Sequence, residues 1–155
     1  MEDDKNLKIM KPIASGSFGK VYRAWKRDIG EIVAVKVERR NASWSVIGYE
    51  AKLLKTFSGN IGFPKFYSYE KRKDWKYVVM EWLGPSLDWL HFKNLVFSLK
   101  TTLLIAEQVL TRIQLMHYKG FINRDIKPDN LVVGVGKTYK TIYMVDFGLS
   151  KRFQD

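Results

Sequence analysis

FINRDIKPDN, residues 121–130, crowds Arg124, Asp125, Lys127, Asp129 and Asn130 around one proline, straight after the apolar pair Phe121-Ile122. The fold is decided by how this decapeptide is read. Taken alone, Asp125 and Asp129 suit an ordinary turn around Pro128, since Asp tolerates turn backbone and proline presets φ. Its neighbours on either side are what give it another meaning.

Upstream, Ser98 is placed to cap a long helix. Leu99, Leu103, Ala106, Leu110, Ile113 and His117 trace one stripe along it, and Gly120 ends it. Downstream come LVV, a turn region GVGK, the apolar run TIYMV and then DFG, which leaves Asp146 at the end of a strand. Asp146 by itself reads equally well as a strand-end turn residue.

The first half of the chain reads mainly as strands. LKIMKPIA and KVYRAWKR flank a glycine-rich turn containing Gly16 and Gly19, and GEIVAVKVERR follows a turn at Asp28-Ile29-Gly30. In that third run Val33, Val35 and Val37 alternate with Ala34, Lys36 and Glu38, so an antiparallel meander is expected. A helix is expected from about Trp44 to Phe57, with Val46, Ile47, Leu53, Leu54 and Phe57 on one face. Glu50 falls on that same apolar face, and Lys36 is a lone cation in an apolar strand. Each needs an opposite charge, and each could supply it. FPKFYSYE and DWKYVVMEWL form a further strand pair, and GPSL marks a hinge.

A chain of 155 residues with 46% hydrophobic and 14% aromatic content has the material for a packed core. With no cysteine, disulfides and thiolate metal sites are excluded, and nothing argues for secretion. The polar start MEDDKNLKIM is unlike a signal peptide, and no apolar run approaches the ~20 residues that span a membrane. An intracellular location, cytoplasmic or nuclear, is expected. The net charge of +11 is scattered, apart from short clusters such as KRK at 71–73, and selects no partner by itself.

The order of a glycine-rich loop, VAVK, a helix Glu, RDIKPDN and DFG resembles the protein kinase signature set. GSFGKVY, MEWLGPSL, FSLKT, RDIKPDN and DFGLSK look like the casein kinase I family, over about Leu7 to Asp155. The resemblance implies an α+β, protein-kinase-like fold. Residues 1–83 would be an antiparallel β N-lobe with one helix plus the hinge, and 84–155 the first part of a helical C-lobe. It implies transfer of the ATP γ-phosphoryl group to Ser or Thr hydroxyls of proteins, with Mg²⁺ as cofactor. Acidic or pre-phosphorylated substrates are implied, with no membrane or nucleic-acid partner.

Residue by residue, the resemblance has Gly16, Ser17 and Gly19 in the loop that closes over the phosphates. Lys36 binds the α and β phosphates and is held by Glu50. Ile13, Val21 and Ala34 pack around the adenine, Met80 borders the back of its pocket, and backbone groups from Glu81 to Leu83 hydrogen-bond the base. Asp125 accepts the substrate hydroxyl's proton, Lys127 stabilises the phosphoryl group, and Asn130 and Asp146 hold the metal.

Three departures from the family pattern stand out. Ala14 replaces the usual first loop glycine. Asn123 replaces the His that precedes Arg-Asp, a structural residue packed beneath the Asp-Phe-Gly turn; Asn keeps hydrogen-bonding ability but loses aromatic area, so weakened support rather than a missing reactive group is expected. The chain ends at Asp155, seven residues after Gly148, where the family continues. A truncated gene model, a fragment or a degenerate paralogue is therefore expected, with an exposed apolar face on the 98–119 helix and little activity alone. An ATP-binding pseudokinase or scaffold fragment without turnover is the alternative. A basic nucleic-acid binder, recognisable by salt-sensitive binding without an ATP effect, is a third.

Overall fold

The computed structural model describes residues 5–16, 19–42 and 45–153. The chain divides into two compact units, residues 1–58 with 65–82, and residues 59–64 with 83–155. The architecture is α+β.

The first unit contains β1 (Leu7–Gly16), β2 (Gly19–Lys26), β3 (Glu31–Arg39), α1 (Ile47–Phe57), β4 (Phe66–Lys71) and β5 (Trp75–Glu81). The strands make one antiparallel sheet in the order β1-β2-β3-β5-β4. The expected meander holds through β3. Then the chain leaves the sheet through α1, a connection long enough to skip one position, and returns so that β5 rather than β4 lies beside β3.

The alternation in β3 separates two buried faces, not an inside from an outside. Val33, Val35 and Val37 pack with Ala24, Tyr77 and Val79. Ala34, Lys36 and Glu38 point the other way and are also buried. Their polar ends are served by α1. Glu38 Oε2 accepts from the backbone N–H groups of Val46 (3.2 Å) and Ile47 (3.3 Å), two of the donors a helix start leaves unpaired. The helix accordingly begins at Ile47, and Trp44, where it was expected to start, lies outside the described residues. Ile47, Ala51, Leu53, Leu54 and Phe57 are buried, with Glu50 among them.

The second unit contains α2 (Leu87–Phe92), α3 (Leu99–Tyr118), β6 (Phe121–Ile122), β7 (Leu131–Val133), β8 (Ile142–Met144) and β9 (Lys151–Arg152). β6 pairs with β9 and β7 with β8, both antiparallel. The short helix α2 was not foreseen from GPSL. Its local signal is Ser86, whose hydroxyl accepts from Trp89 N–H at 3.1 Å. Ser98 caps α3 as expected, accepting from Thr101 N–H at 3.2 Å.

Only Arg112 and Met116 of α3 are buried, while Leu99, Leu103 and Leu110 of the expected stripe are 75%, 60% and 65% exposed. A polar side chain joins the helix to β8. Gln108 Oε1 accepts from Ile142 N–H at 2.9 Å, and Gln108 also accepts from Arg112 through its backbone carbonyl (3.0 Å) and its side chain (3.3 Å). Arg112 lies so close to Gly62 that a Cβ there would sit 2.0 Å from its Nε. Met144, the last residue of β8, donates its N–H to Gly62 O at 2.8 Å. The strand that leads to Asp146 is thus fixed from both sides.

Candidate functional site

The first unit gathers one set of the expected residues. Antiparallel register puts Val21 opposite Lys36, and Ala34 opposite Met80. Since Ala34 and Lys36 are two apart on β3, all four share one face of the sheet. Ala34 is buried, Val21 and Met80 half-buried, and Ile13 exposed at an irregularity of β1. Glu81 is anchored to Lys65, donating its N–H to Lys65 O (2.9 Å) and accepting Lys65 N–H on Oε2 (3.0 Å).

Gly16 and Gly19 close the end of the β1–β2 pair, directly opposite each other. Gly19 has φ +128°, and a Cβ there would lie 2.4 Å from Val37 O. Glycine is required here by the passage of β3, independently of any phosphate. Ser17 lies outside the described residues.

Lys36 Nζ meets both carboxylate oxygens of Glu50, at 2.8 Å (Oε1) and 2.7 Å (Oε2). The side chains are 7% and 4% exposed. A pair so far removed from water is held in one geometry, because leaving it strands two charges.

The second unit gathers the other set, and Asp125 is its centre. Lys127 Nζ contacts both carboxylate oxygens, at 3.0 and 2.8 Å. Asn130 Nδ2 donates to Asp125 Oδ2 and to its backbone carbonyl, each at 2.9 Å. Lys127, and after it Asn130, hold the Asp125 carboxyl below the usual carboxylate range despite some desolvation. Reciprocally, the Asp125 carboxylate raises Lys127 above the ordinary lysine value. Asp125 is therefore a fixed anion, suited to accept a hydrogen bond from a hydroxyl and so to orient it.

Asn123 keeps the hydrogen-bonding ability expected of it, with a partner the sequence did not name. It is buried, its Oδ1 accepts the Asp125 N–H at 2.9 Å, and its Nδ2 approaches Met144 Sδ at 3.7 Å. The amide thus holds the backbone of Asp125 as well as filling space beneath the loop. The signal was available, since an Asn two residues ahead of a turn position is a known local acceptor.

Asp146 reaches the same neighbourhood through β8. Val145 N–H donates to Asn130 O at 2.9 Å, tying together segments that carry Asn130 and Asp146. Asp146 Oδ1 accepts Gly148 N–H at 3.1 Å. Arg124 and Asp146 both have positive φ, +67° and +63°. Non-glycine residues in that region cost about 1–3 kcal/mol each and cluster at functional sites. Arg124 is held there by a hydrogen bond from Nε to Leu149 O at 2.6 Å. Phe147 is buried and stacks on Phe63, with ring centroids 6.0 Å apart.

Oxygen ligands suit Mg²⁺, which takes one or two carboxylates and completes its shell with water and phosphate. The donor set fits. Asp146 supplies a carboxylate, and with Asn130 Nδ2 committed to Asp125, the Oδ1 of that amide is the atom suited to a cation. No cluster of three or more His, Cys, Asp or Glu occurs among the described residues, so a fully protein-made cage is not what these residues offer.

The family model for the protein kinase domain matches residues 7–155. The chain belongs to the protein kinase domain family, and its α+β fold, with a five-stranded antiparallel sheet followed by helices, is that of this family. Kinase activity on proteins with ATP as phosphoryl donor is the activity the family defines.

Proposed function

We propose that this protein is a Ser/Thr protein kinase of casein kinase I type. The observation that carries the reading is the Asp125 carboxylate, kept anionic and fixed by Lys127, Asn130 and Asn123. MEWLGPSL, FSLKT, RDIKPDN and DFGLSK support the narrower family.

In this reading Asp125 orients the substrate hydroxyl and accepts its proton, and Lys127 offers its ammonium to the transferring phosphoryl group. Lys36, straightened by Glu50, binds the α and β phosphates. Val21, Ala34 and Met80 offer apolar surface to the adenine, with Ile13 beside them, and backbone groups from Glu81 to Leu83 hydrogen-bond it. Gly16, Ser17 and Gly19 belong to the phosphate loop. Asn130 and Asp146 would hold Mg²⁺, which when bound neutralises phosphate charge. The residues contribute position and fixed charge, and phosphoryl transfer needs little more from a protein. Acidic or pre-phosphorylated protein segments suit the net charge of +11. The setting is intracellular.

The test is transfer from radiolabelled Mg-ATP to a Ser/Thr peptide with acidic flanks, beside a Tyr peptide. Asp125→Asn should lower turnover by roughly 10²–10⁴-fold and leave ATP affinity nearly unchanged. Turnover insensitive to that substitution would sink the mechanism. Saturable ATP binding without transfer by the unaltered chain would favour a nucleotide-binding module instead.

A further inference from the structure

The KRK cluster at 71–73 has no part in phosphoryl transfer. The fold gives it company from a segment thirty residues away. Arg39 lies opposite Trp75 in the β3–β5 register, and Arg40 N–H donates to Asp74 O at 2.9 Å. Arg40 Nη1 also donates to Arg72 O, at 3.2 Å. The turn between β4 and β5 is closed by Arg72 N–H on Trp75 O at 2.8 Å. The end of the sheet formed by β3, β5 and β4 therefore presents Arg39, Arg40, Lys71, Arg72 and Lys73, all exposed.

Two carboxylates share this end. Glu70 lies 3.8 Å from Arg72, with both side chains about half exposed, and Asp74 sits in the turn. Lys76, which faces Lys71 in the register, is already turned to Ser45 (2.7 Å) and Glu38 (3.8 Å). Gathering five cations against two carboxylates works against folding, since like charges repel at this range. Such a surface gains when an anion covers it.

We propose that this end of the sheet is a docking patch for an acidic segment of a protein, rich in Asp, Glu or phosphoserine. The aromatic rings favour a peptide over a nucleic acid. Single strands bind by stacking bases on open aromatic faces. Here the Arg39 guanidinium lies over Trp75, 5.6 Å from its centroid, and the Lys71 ammonium over Tyr69 at 5.9 Å. Both rings are occupied by cations, which leaves charge as the means of recognition. The patch lies wholly within the first unit. It extends the reading of this protein as one that acts on proteins, by supplying a place to hold an acidic substrate or adaptor.

The experiment measures binding alone. A fluorescein-labelled ten-residue Asp/Glu-rich peptide, with and without phosphoserine, is titrated with the full chain and followed by anisotropy. A twelve-nucleotide oligouridylate is the second probe. Lys71→Gln with Lys73→Gln removes two patch charges, and Lys52→Gln with Lys55→Gln removes two exposed charges from α1 as the control. The expected result is saturable peptide binding that weakens roughly tenfold in the patch variant and less than about twofold in the control. It should also weaken as salt rises. Equal losses in both variants, no saturable binding, or tighter binding of oligouridylate through the same lysines would overturn the proposal. Since no turnover is needed, a chain that binds peptide but transfers no phosphate would refute the kinase reading and leave the patch standing.

Discussion

Lys36 and Glu50 show what a buried ion pair demands of single residues. Each is almost fully removed from water, and each is the other's counter-charge. Lys36→Ala should destabilise the protein by about 3–5 kcal/mol, because Glu50 is left buried and charged. Lys36→Met combined with Glu50→Leu should recover most of that loss, as urea unfolding of the three proteins would reveal. Asp125 and Lys127 are a more exposed pair, and their effect appears in titration. The folded-state value of Asp125 is depressed, so its contribution to stability is present above the unfolded value, ~3.9. That contribution fades as pH falls through the lower folded value. Lys127 is raised, so its contribution holds below ~10.4 and fades as pH climbs through its folded value. Carbon-13 NMR of the carboxyl should place the Asp125 midpoint below the usual range. In Lys127→Met it should move upward, and an unmoved midpoint would mean that Lys127 is not the cause.

Among the elements, the β1–β2 turn and α3 answer to different constraints. Gly19 is demanded by backbone: its φ is +128° and Val37 O occupies the space of a side chain. Gly19→Ala should cost about 3 kcal/mol in thermal or chemical unfolding, even without nucleotide, since strain and the clash both act in the free protein. An unchanged midpoint would show that the turn yields easily. Helix α3 depends on its caps and on a few polar anchors. Ser98 sets its start, while Gln108, itself held by Arg112, attaches the second half to β8. Its first half carries Leu99, Leu103 and Leu104 largely in solvent.

At the scale of the whole molecule, charge dominates. A net charge of +11 on 155 residues repels itself in the compact state. Added sodium chloride screens that repulsion, with a Debye length near 8 Å at 0.15 M. The thermal midpoint should therefore rise between low and physiological salt, and a falling midpoint would mean that attractive pairs outweigh the repulsion. No helix among the described residues is long and apolar enough to cross a membrane.

The sequence by itself named the candidate site residues and determined most elements. Local signals suffice where a residue type has one physical use: Ser98 as a cap, alternation in β3, Asp125 beside Lys127 in a proline-bent loop. Lys36 and Glu50 could be matched because two lone buried charges must find each other. Tertiary structure alone decided the placement of β5 beside β3, since a long connection through α1 leaves strand order open. It alone showed that both faces of β3 are buried, because alternation is silent about what covers the second face. It turned Asn123 from a substitute in the loop into a hydrogen-bond acceptor for the Asp125 backbone. It also gathered Arg39 and Arg40 to the basic turn at 71–73, since spacing along a chain says nothing of which strand ends meet.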